Sequence, residues 1–68
     1  MDRIIDFHVN LLKEHYQSNI SPYDEKIILE YRDKLIDLLI SYFKMQGLES
    51  SNLAQIIETR FEEELGVN

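Results

Sequence analysis

Apolar residues recur along this chain at intervals of three and four, the spacing that lines up one face of an α-helix. In the first segment Ile4, Ile5, Phe7, Val9, Leu11, Leu12 and Tyr16 keep that period and predict a helix over 2–18, with Asn19 positioned as a left-handed stop. Ser21 and Pro22 form a helix-start pair: the serine oxygen accepts a free backbone N–H, and proline brings a preset φ and no N–H to leave unpaired. Asp24 and Glu25 follow in the electropositive first turn. The second helix is predicted over 22–46, ended by Gly47 in a left-handed conformation with Leu48 folding back on Phe43. Ser50, Ser51 and Asn52 are candidate caps for a third helix over 52–65, Gln55 completing a capping box with Asn52, and Gly66 closes it. No alternating strand pattern, repeat or low-complexity tract interrupts the series. The expected fold is a single all-α domain, 1–68.

The breadth of the apolar faces carries more information than their existence. Around the second helix, at about 100° per residue, Lys26, Glu30, Asp33, Lys34, Asp37, Ser41 and Lys44 share one sector of roughly 100°. The remaining arc of about 220° is nearly all apolar, twice the stripe that a surface helix needs. The first helix has an apolar arc of about 200°, whereas Leu53, Ala54, Ile57, Phe61 and Leu65 give the third a stripe of about 120°. A long central second helix, about 37 Å from end to end, has more apolar girth than two shorter helices cover. A second copy supplies the cover. The expectation is a dimeric helical bundle with two-fold symmetry, in which Tyr31, Arg32, Leu35, Leu39 and Tyr42 form the dimer or partner interface. The competing expectation is a compact monomer with scattered exposed aliphatics.

Length and composition sharpen this picture. A chain of 68 residues hides only about 60% of its extended surface on folding. Small domains make up the deficit with disulfides, metals or association; this one has no cysteine and two histidines, which leaves association. The absence of cysteine also suits a reducing compartment, and a cytoplasmic location is expected. No apolar run approaches the roughly 20 residues of a membrane span, and Met1–Asp6 lacks a basic flank before an apolar stretch, so neither membrane insertion nor a signal peptide is expected. Thirteen acidic against seven basic residues give a net charge of −6. That charge disfavours nucleic acid and anionic membranes and permits a basic protein partner.

Few residues suggest chemistry. His8 and His15 lie seven apart on the apolar arc of the first helix, roughly 10 Å from each other, so they cannot chelate one ion together. Either they pack at a core edge, or they sit in a buried seam where imidazole protonation makes assembly pH-sensitive. Arg32 stands inside the apolar arc of the second helix, where it either runs its stem along the surface to water or forms a bidentate pair with a carboxylate of another helix or subunit. Glu58, Glu62, Glu63 and Glu64 crowd the electronegative end of the third helix, against the macrodipole. They form either a solvated end or an acidic docking patch for a basic partner. No cysteine, nucleophile elbow or phosphate-cradling glycine loop is present, so neither catalysis nor a cofactor is expected.

The run Tyr31-Arg32-Asp33-Lys34-Leu35-Ile36-Asp37, followed by Gly47-Leu48 before another helix, resembles the small helical-hairpin aspartyl-phosphate phosphatases that act on sporulation response regulators. The resemblance covers under a third of the chain. Where those proteins carry Ser-Gln-Glu-Leu-Asp, this chain has Ser51-Asn52-Leu53-Ala54-Gln55 and lacks the acidic residue, so no catalytic role passes to any residue here. The expected function is a non-enzymatic interaction module that regulates or inhibits a larger protein. A structural subunit of a helical assembly and a hairpin phosphatase are the alternatives.

Overall fold

A computed structural model describes residues 2–17 and 19–67 of the chain. Three helices make up the fold: α1 (Asp2–Tyr16), α2 (Pro22–Met45) and α3 (Leu53–Leu65). Ser18, where the sequence pattern ends the first helix, lies outside the described residues. Gln17 takes the left-handed conformation at φ +49°, and this stop falls two positions before the expected Asn19. At the start of α2 the Ser21 hydroxyl accepts the Asp24 N–H at 3.1 Å, and the Asp24 carboxylate accepts the Ser21 N–H at 3.4 Å. The predicted serine cap is therefore a closed capping box. At the other end Gly47 is left-handed, the Leu48 N–H donates to the Phe43 carbonyl at 2.9 Å, and the Gly47 N–H donates to Lys44 at 3.1 Å. These are the backbone bonds of the predicted Schellman stop.

The entry to α3 departs from expectation. Asn52 makes no side-chain cap, and the Glu49 carboxylate instead accepts the Ser51 N–H at 2.8 Å in the preceding turn. That bond holds the Glu49 carboxyl below its ordinary pKa.

α1 and α3 run in the same direction, since Asp6 pairs with Arg60 near one end and Lys13 with Glu64 further along both helices. α2 runs in the opposite sense to both, and α3 packs against each of the other two. Leu53, Ile57 and Phe61 insert between Ile5, Val9 and Leu12 on one side and Ile28, Leu35, Ile36 and Leu39 on the other. No polar side chain is buried among the described residues, and no helix there is long and apolar enough to cross a membrane. α3 spends its narrow apolar stripe on this core, while the wider arcs of α1 and α2 keep their outer flanks open.

Candidate interaction surface

The open flanks meet at one place. His8 of α1 and Tyr31 of α2, both half-buried, share a hydrogen bond of 2.5 Å between Nδ1 and the phenol oxygen, and their rings meet edge to face with centroids 5.7 Å apart. Around this junction α1 and α2 leave a groove of about 200 Å³ lined by His8, Tyr31, Lys34, Leu35 and Leu38. Its walls are apolar almost throughout.

From the groove an apolar strip runs along each helix. On α2 it comprises Ile27, Leu38, Tyr42 and Met45; Leu38 is 64% and Met45 82% exposed. On α1 it comprises Ile4, Phe7 and Leu11, with Phe7 60% exposed. Phe7 lies edge-on to His8, centroids 5.3 Å apart, so the two strips form one continuous face. The whole surface of 4970 Å² exceeds the roughly 4,500 Å² expected of a compact monomer of this mass. Open flanks are consistent with that excess.

The residues singled out from sequence divide unevenly over this surface. Leu35 and Leu39 are each 4% exposed and belong to the core of the single chain. They correct the expected interface: α1 and α3 take the middle of the apolar arc on α2, and only its flank is left open. Tyr31 is tied to His8, and Tyr42 is half exposed beside Phe43. Arg32 neither reaches freely to water nor pairs across helices; its Nε and Nη2 donate to the Asp33 carboxylate at 3.1 and 3.0 Å, with the guanidine side chain largely covered. His15 is exposed, edge-on to Tyr16, so the two histidines do not share a buried seam. Glu64 is occupied by Lys13 at 3.0 Å, while Glu58, Glu62 and Glu63 face solvent.

The interface expected from the sequence left out Leu38, Met45, Phe7 and Leu11 because it was drawn on the centre of the α2 arc. The usable signal was the four–three spacing of Ile27, Tyr31, Lys34, Leu38, Ser41 and Met45, a second seam about 120° from the core-facing one that borders the polar sector and shares Lys34 and Ser41 with it. A second cleft, about 320 Å³, lies where α1 and α3 end and α2 begins, and includes Lys13, Tyr16, Glu25 and Glu64. The Lys13–Glu64 pair satisfies two of its four polar groups internally. Among the described residues no three His, Cys, Asp or Glu side chains are grouped to hold a metal ion. No family model matches the chain, and neither does any curated protein or solved structure compared with it.

Proposed function

We propose that this chain is a small cytoplasmic interaction module without catalysis of its own, a homodimer that regulates or inhibits a larger protein by covering part of its surface. The observation supporting this is the continuous apolar face formed by the outer flanks of α1 and α2. Contiguous exposed apolar surface of this kind marks contacts between proteins. α2 is the central rod of the proposed assembly, because a second copy lays another α2 against the flank that α1 and α3 leave bare. The net charge of −6 and the solvated Glu58, Glu62 and Glu63 favour a basic protein over nucleic acid as the further partner.

Light scattering coupled to size exclusion tests the association directly, on the natural chain and on Leu38→Glu. The expected masses are two chains for the natural protein and one for the variant, with helicity unchanged in both. Affinity capture with the natural chain should then retain a protein in fixed stoichiometry. A single-chain mass for the natural protein overturns the dimer, and multiple-turnover phosphate release from an aspartyl-phosphorylated response regulator overturns the non-enzymatic assignment.

A further inference from the structure

The geometry points to the arrangement of that dimer: α2 packs antiparallel on the α2 of a second copy, and the α1 strip of each chain lies along the C-terminal half of the other chain's α2. This inference rests on the dimer proposed above and adds its surface and register.

The seam Ile27, Tyr31, Lys34, Leu38, Ser41, Met45 follows coiled-coil spacing. Two such seams related by a two-fold axis bring Met45 against Ile27, Ser41 against Tyr31 and Leu38 against the stem of Lys34. Each contact occurs twice, as an isologous interface requires. In that register the charged residues flanking the seam are Glu30, Asp37 and Lys44. Glu30 of each chain faces Lys44 of the other, and the two Asp37 carboxylates meet across the axis with both Lys34 ammonium groups beside them to offset their repulsion. Glu30, Lys34, Asp37 and Lys44 have no ion-pair partner within the chain among the described residues. The seam is thus self-complementary in charge as well as in shape.

α1 extends the same arrangement. The His8–Tyr31 bond sets the level of α1 against its own α2. With the second α2 in the register above, Ile4, Phe7 and Leu11 come level with Leu38, Tyr42 and Met45 of the other copy and run in the same direction, with matching intervals of three or four residues. Apolar side chains open by 41–82% in the single chain then cover one another. Their combined area is on the scale of the roughly 800 Å² that a standard interface takes from each partner.

Charge exchange tests the register. Glu30→Lys and Lys44→Glu each turn two attractive pairs into repulsive ones, and each should weaken the homodimer about tenfold at low ionic strength. Mixing the two variants one to one should restore association as a heterodimer, and the double variant should recover the natural affinity. Both positions are exposed, so folding should be unaffected. Because the chain has no cysteine, Leu11→Cys mixed with Met45→Cys gives a second readout: disulfide-linked dimers are expected from the mixture and not from either variant alone. A natural dimer whose affinity ignores the charge exchange, or whose cysteine pair fails to link, overturns this arrangement while leaving dimerisation intact. A natural chain that stays monomeric overturns both.

Discussion

Leu35 and Leu38 stand three positions apart on α2, about 60° from each other around its axis. Both line the groove, but Leu35 is 4% exposed and belongs to the core whereas Leu38 is 64% exposed. Truncating a buried leucine removes its transfer energy and leaves a cavity, so Leu35→Ala should cost about 2–5 kcal/mol in urea unfolding. That is a large share of the stability of a domain this small. Leu38→Ala should change the unfolding of the isolated chain by no more than about 0.5 kcal/mol and act on association instead. Equal losses at the two sites would contradict the burial pattern. Tyr31→Phe deletes the hydroxyl bonded to half-buried His8 and should cost about 0.5–1.5 kcal/mol, with a displaced His8 imidazole resonance as its spectroscopic sign. The sequence placed both leucines in one apolar arc. It could not divide them, because the division depends on which direction α3 takes, and that is decided by packing far along the chain.

Helix ends were largely legible, and the departure at the start of α3 has a local cause. Ser21-Pro22 and Gly47-Leu48 are read from local chemistry alone, and the capping box and Schellman bonds form where that chemistry places them. Ser21→Ala should therefore cost about 1 kcal/mol of thermal stability. At the start of α3 three neighbouring residues were equally suited to cap, and local chemistry could not choose among them. The turn is held instead by Glu49 accepting from Ser51. This bond stabilises the charged carboxylate, so the folded-state pKa lies below the ordinary 4.5. A depressed carboxyl pKa contributes stability above the unfolded-state value and loses it as pH falls through the folded-state value. Carbon-detected titration should find Glu49 ionising below the ordinary carboxylate value of 4.5, and Glu49→Gln should remove that part of the acid sensitivity, which lies below about pH 4.5. A Glu49 that ionises at the ordinary value would mean that the bond to Ser51 does not hold the turn in solution.

At the scale of the molecule, three helices form an elongated body of 39 × 19 × 15 Å in which the two broader apolar arcs exceed the cover that α3 provides. The excess itself was visible in the sequence, from the polar sector of α2 being so narrow. Its location was not, since the arc centre became the core and the flank became the surface. The proposed self-association would cover that flank, and it should respond to Leu38 and Met45 rather than to the buried pair Leu35 and Leu39. Sedimentation equilibrium of the natural chain across the micromolar range tests this most directly. A reversible particle of twice the 8.1 kDa chain mass is expected. A folded species that remains at one chain mass at every concentration, with Leu38 and Met45 still open to water, would contradict it.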